Sequence, residues 1–128
     1  MISFNTKTEV LNVSVCDFGI GVAKSVKDFD STITDDKTAL KKASEANFTV
    51  RSAKHNAGMG LYNIRCVCTE DDDLWIISNH AALRLTNNNE RATDLDFSFE
   101  GCLLTYSVSL SHFTNEETLE DFNWILEE

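Results

Sequence analysis

Proline is missing from the whole chain, and glycine occurs only five times in 128 residues. Without proline there is no rigid spacer between domains, and no repeat or linker divides the sequence. Cysteine is sparse as well. Cys16, Cys66, Cys68 and Cys102 each sit in an apolar run, and Cys66 and Cys68, two residues apart, have neither helical nor zinc-ribbon spacing. The expectation is four small, buried, reduced thiols in a cytoplasmic protein, with no metal site. No stretch approaches the roughly 20 apolar residues of a membrane helix. The opening MISFNTKTEV has no apolar core of signal-peptide length. Bases are outnumbered 21 to 11, for a net charge of −10, which excludes general binding to nucleic acid or to an anionic membrane.

What is present suits one globular domain. A chain of this length buries about two thirds of its unfolded surface, and 42% hydrophobic with 25% charged residues is ordinary for such a domain. The charge is uneven. Residues 24–65 carry eight bases and five acids, while the rest carries three bases and sixteen acids. A locally positive middle could attract a small anion; a lysine-rich helix surface explains it equally well.

Val10–Val15 alternates and is β-branched, which reads as a strand. A short helix is expected near Ala23–Asp28 and a longer one over DDKTALKKASEA, with Leu40 and Ala43 on one side. NFTVRSAKHNAGMG reads as a loop. Leu61, Ile64, Val67 and Cys68 make a helical apolar stripe. LWIIS and ALRLT read as paired strands, NNNERAT as a polar loop, and LDFSF and CLLTYSVSL as two further strands separated at Gly101 by a turn or a bulge. In the last of these, Leu104, Tyr106, Val108 and Leu110 share one side. Thr114 and Glu117 form a capping box ahead of an apolar stripe of Leu119, Phe122, Ile125 and Leu126. The pattern therefore predicts an α/β (α+β) two-layer sandwich over residues 1–112, with a mixed, largely antiparallel sheet of about five strands and helices on one face. An amphipathic helix over 113–128 follows, covering the chain's own core or a partner's groove.

Four of the five glycines fall in two Gly-x-Gly pairs. In CDFGIG, Asp17 ends an apolar strand, where a carboxylate can accept an exocyclic amine such as that of adenine. Gly19 and Gly21 would let backbone approach a flat ring, and Ile20 could lie against it. A plain Asx turn is the alternative. In HNAGMGLYNI, Gly58 and Gly60 immediately precede a helix whose free N–H groups favour an anion. Arg51, Lys54 and His55 lie just upstream; a glycine-rich helix start with no ligand is the alternative here.

Asp17-Phe18-Gly19-Ile20-Gly21, followed by Gly58-Met59-Gly60-Leu61-Tyr62-Asn63-Ile64-Arg65, resembles the histidine-kinase-like ATP-binding domain, the Bergerat fold of gyrase, heat-shock chaperone, sensor kinase and mismatch-repair ATPases. The likeness spans about residues 10–110. It implies that Asp17 takes the adenine amino group, that Gly19, Ile20 and Gly21 shape the adenine pocket, and that residues 44–57, with Arg51, Lys54 and His55, form a lid. It further implies that Gly58, Met59, Gly60 and Leu61 meet the phosphates of ATP or ADP. Cys102 stands where the family often has a threonine, a weaker hydrogen-bonding substitute.

The chain departs from this family at its front. Members carry an earlier helix with a glutamate and, four residues on, an Mg²⁺-binding asparagine. Here sixteen residues precede Asp17, and Glu9 and Asn12, three apart, run straight into the strand. The likeness is thus to an N-terminally truncated domain, poor at hydrolysis because phosphoryl transfer relies on the metal. A nucleotide-free interaction module, with the uncovered sheet face met by the C-terminal helix, a partner protein or a second copy, is the competing expectation. A serine-hydrolase reading fails: no serine has a nucleophile-elbow context, and His55, His80 and His112 read as surface residues.

Overall fold

A computed structural model describes residues 1–45, 48, 60–68, 71–86 and 89–113, apart from the side chain of His112. Among the described residues the chain is α+β, with three α-helices against a four-stranded antiparallel sheet. Strands β1 (Ile2–Asn5) and β2 (Val10–Asp17) form a hairpin whose turn is held by Asn5 Oδ1, which accepts from the N–H groups of Lys7 and Thr8. Helices α1 (Val22–Phe29), α2 (Asp36–Ala43) and α3 (Gly60–Cys66) come next, then β3 (Asp73–Thr86) and β4 (Asn89–Ser109). The sheet order is β1-β2-β4-β3, so the last strand lies between the hairpin and β3.

The expectation of about five strands in a mixed sheet is corrected to four, all antiparallel among the described residues. LWIIS and ALRLT are one strand. Ser78-Asn79-His80 does not turn the chain back; it forms a bulge in which Asn79 takes φ 54° and the register with β4 shifts. β3 bends there so sharply that Arg84 reaches back to bond Asp73 twice, at 2.9 and 2.8 Å. Most of NNNERAT belongs to β4 rather than to a loop, and Gly101, with φ 115°, sits inside that strand. The strand's apolar alternation holds as far as Val108; Leu110 instead opens a 3₁₀ turn, Leu110–Phe113.

All helices expected within the described residues are present. Asp35 Oδ1 accepts from the Thr38 N–H at 2.8 Å and caps α2. Ala39 of α2 packs against Ala23 and Val26 of α1, while its neighbour Leu40 joins Leu74, Ile76, Ala81, Leu83 and Leu85 in the main core. Leu61, Ile64 and Cys68 pack against that core, as the stripe predicts; Val67, beyond the end of α3, does not. The thiol expectation is corrected too: Cys16, on the sheet's outer face opposite Leu103, and Cys66 are exposed. The C-terminal helix expected over 113–128 lies outside the described residues beyond Phe113. Among the described residues no helix is long and apolar enough to cross a membrane.

One buried carboxylate locks the two-helix layer to the sheet. Asp36 is 8% exposed, accepts from the His80 N–H at 2.9 Å and forms an ion pair with Lys27. Burial raises its pKa, but the Lys27 ammonium and the His80 N–H outweigh that, leaving it below the ordinary carboxylate value. A carboxyl with a lowered folded-state pKa contributes stability in full above its unfolded value. That contribution disappears as pH falls through the folded value. Asp36→Ala should therefore cost about 2–4 kcal/mol in urea denaturation at pH 7, because it strands Lys27 and the His80 N–H. The difference from wild type should shrink below about pH 4. A constant difference from pH 7 to pH 3 would show that the ionised carboxylate is not what holds α2.

Candidate functional site

The DFGIG turn and the start of α3 lie on one face of the sheet. Asp17 pairs with Cys102 across β2 and β4, and Cys102 packs toward the core beneath the helices. Directly opposed residues of an antiparallel pair share a face, so Asp17 projects on the helical side at the sheet's end. Leu61 of α3 joins the same core. Tyr106 Oη donates to Asp72 at 2.6 Å and lies 3.2 Å from the Val67 carbonyl, which sets the far end of α3 over the middle of β4. Burial and the Asp72 carboxylate keep that phenol well above its ordinary pKa.

Asp17 does form the Asx turn. Gly19 N–H donates to its Oδ1 at 2.9 Å; among the described residues its other oxygen carries no hydrogen bond, and the side chain is exposed. Phe18 and Ile20 follow, 87% and 60% exposed. Phe18 touches Phe99 at 6.3 Å between ring centroids. A cavity of about 590 Å³ opens beside this turn, with Phe18, Gly19, Ile20, Lys24, Lys27, Asp36, Asn79 and Glu100 in its lining. Asp17, Gly60, Leu61 and Cys102 are not in its lining. The lysines are already engaged, Lys24 with Asp28 at 2.9 Å and Lys27 with Asp36.

The glycines divide into two kinds. Gly21 is buried at φ 88°, ψ 150°, a conformation reserved for glycine, and a Cβ there would stand 2.3 Å from Asn79 Oδ1. A Cβ on Gly101 would stand 2.1 Å from the Asp17 carbonyl oxygen. Both are required by the fold. Gly19 has no positive φ, and its Cβ would meet Asp17 Oδ1 at 3.2 Å; Gly60 is exposed, with no described atom within 4 Å of a Cβ. At these two positions packing does not demand glycine. Gly58, Met59, Arg51, Lys54 and His55 lie outside the described residues, as does most of the expected lid.

Sequence reasoning missed Ser78 and Asn79. Ser78 Oγ accepts from the Val22 N–H and donates to the Gly101 carbonyl, both at 2.7 Å. Asn79 Oδ1 accepts from the Lys24 N–H at 2.9 Å, and its Nδ2 donates to the Ile20 carbonyl at 3.1 Å. The first turn of α1 is thus capped from a neighbouring strand and offers little to an anion. The signal was the Ser-Asn pair after LWII, two residue types that commonly bond free helix N–H groups.

Cys102 is held as a neutral thiol: burial, with Asp17 and Cys16 adding to it, pushes its pKa up to about 11. It can give a ligand only a weak S–H bond. Glu9 is at the opposite end of β2 from Asp17, roughly 25 Å away at strand rise, and Asn12 Oδ1 is taken by Ser107 Oγ at 2.6 Å on the outer face. Among the described residues no group of three or more His, Cys, Asp or Glu is placed to hold a metal. No protein-family profile matches the chain, and neither does any curated protein sequence.

The division among the glycines can be measured. Gly21→Ala should cost about 2–4 kcal/mol in urea denaturation, from backbone strain and collision with Asn79, whereas Gly19→Ala should stay within about 1 kcal/mol. Adding Asn79→Ala to Gly21→Ala should cost less than the two single effects together, because the collision is relieved. Equal losses for Gly19→Ala and Gly21→Ala would contradict the division.

Proposed function

We propose that this chain is an adenine-nucleotide-binding domain of the histidine-kinase-like type, reduced in its capacity for hydrolysis. The observation that carries the reading is Asp17: one carboxylate oxygen is fixed by the Gly19 N–H, and the other is left open at the end of a strand, beside exposed Phe18 and Ile20. A carboxylate oriented in this way accepts an exocyclic amine, and the exposed apolar side chains suit the face of a purine. Gly60, open around its Cα at the start of α3, leaves room for phosphate oxygens on the same side of the sheet. With Glu9 and Asn12 unsuited to Mg²⁺, the protein would bind ATP or ADP by base and backbone contacts, and phosphate charge would be poorly neutralised.

A second reading has its own support. The helices lie chiefly over β3 and β4, leaving apolar residues of β1 and β2 exposed on the helical side. That bare face suits a nucleotide-free interaction module.

Asp17→Asn separates the two. Asparagine keeps an oxygen for the Gly19 N–H but presents an amide nitrogen where an adenine amine would approach. Calorimetric titration should give weak ATP binding to the wild type that is nearly indifferent to Mg²⁺ and is reduced roughly 10- to 100-fold by the substitution, the worth of one charge-assisted hydrogen bond. Equal affinity in both proteins, or no binding to the wild type, would remove Asp17 from a nucleotide site and leave the interaction module.

A further inference from the structure

Among the described residues, helices cover half of the sheet's helical face. Across it, Ile2 pairs with Val13, Phe4 with Leu11, and Val15 with the core residue Leu104. These five β1 and β2 side chains continue the core face beyond the helices, and Ile2, Phe4 and Val15 are 74%, 48% and 63% exposed. The opposite face is polar there: Ser14 Oγ lies 3.1 Å from Thr105 Oγ1, and Ser107 Oγ donates to Asn12. An antiparallel sheet needs only one apolar face, and here half of it meets no helix among the described residues.

We infer that residues 114–128 of this same chain dock on that bare face. The described chain ends at its margin: Val10 pairs with Ser109, and Leu110 N–H donates to the Glu9 carbonyl at 2.8 Å. Fifteen residues follow Phe113. As a helix they span about 22 Å, close to the roughly 26 Å of β2. Their sequence places Leu119, Phe122, Ile125 and Leu126 on one side, and the segment carries six acids and no base, which would face water. A second copy is the weaker occupant. Two chains of net charge −10 repel, whereas a tethered segment binds at high effective concentration. The docking is independent of whether Asp17 holds a nucleotide.

Hydrogen exchange on the full chain, with light scattering, tests this. Amides of 119–126 should exchange roughly tenfold or more slowly compared with a free peptide of the same sequence, in a monomeric protein. Val15→Glu should abolish that protection while the amides of α1 and α2 stay protected; if Val15→Glu fails to fold, Phe4→Ser serves as the milder variant. Phe122→Glu should in turn speed exchange in β1 and β2. Peptide-like exchange of the tail in the wild type would overturn the inference. So would tail protection that survives both sheet variants with the fold intact, or protection of β1 and β2 seen only in a dimer, which would assign the face to a second copy. None of these readouts involves nucleotide, so a negative ATP titration leaves them interpretable.

Discussion

The structure hangs on a single hydroxyl. Ser78 Oγ accepts from the first N–H of α1 and donates to the carbonyl of Gly101, tying β3, β4 and the helical layer together at one point. Asn79 beside it secures the next parts of the same junction, the Lys24 N–H and the Ile20 carbonyl. These bonds require two close backbone approaches, Gly21 against Asn79 and Gly101 against Asp17, and any side chain at either glycine would block them. A hydroxyl bonded on both sides in a buried setting is worth more than an exposed one, because leaving its partners unmatched there is costly. The DFGIG turn takes its shape from this junction, and with it the direction of the Asp17 carboxylate.

From the junction, the helices spread to one side only. α1 leaves Ser78 and meets α2 through Ala23, Val26 and Ala39, while Leu40 and Asp36 fasten α2 over β3. α3 adds Leu61 and Ile64 to the same core. Together these elements cover β3 and β4, and the β1–β2 hairpin projects beyond them. That α1, α2 and α3 leave the β1–β2 half of this face uncovered is the consequence of where α1 is anchored.

Much of this was legible in the residues. β2, α1, α2 and α3 were visible because their periods, caps and breakers agree: alternation through Val15, Asp35 ahead of a helix-forming run, and Leu61 with Ile64 three apart. The strand count was not legible, for one reason acting twice. Ser78-Asn79-His80 and Glu100-Gly101 have turn composition, but the neighbouring strand supplies enough pairing to carry the chain through as bulges, with Asn79 and Gly101 absorbing the positive φ. Local composition signals a departure from the straight strand; it does not say whether the chain reverses or only kinks. The hairpin partner β1 went unassigned because ISFN is too short to display a period, and Cys16 looked buried because an apolar run does not reveal which of its alternate residues face out.

That same distinction governs how far the glycines speak for a ligand. A residue that the fold needs for its own construction carries no information about what the fold binds. Gly21 and Gly101 are of this kind, since Asn79 and the Asp17 carbonyl exclude any side chain there whether or not a nucleotide ever arrives. Gly19 and Gly60 are not, and neither is the open oxygen of Asp17. An exposed Phe18 gains nothing from the core. The case for a binding site therefore rests on the features that folding leaves unexplained: a half-used acid, a glycine at the start of α3 with open space around it, and aromatic and aliphatic side chains turned to water beside the acid.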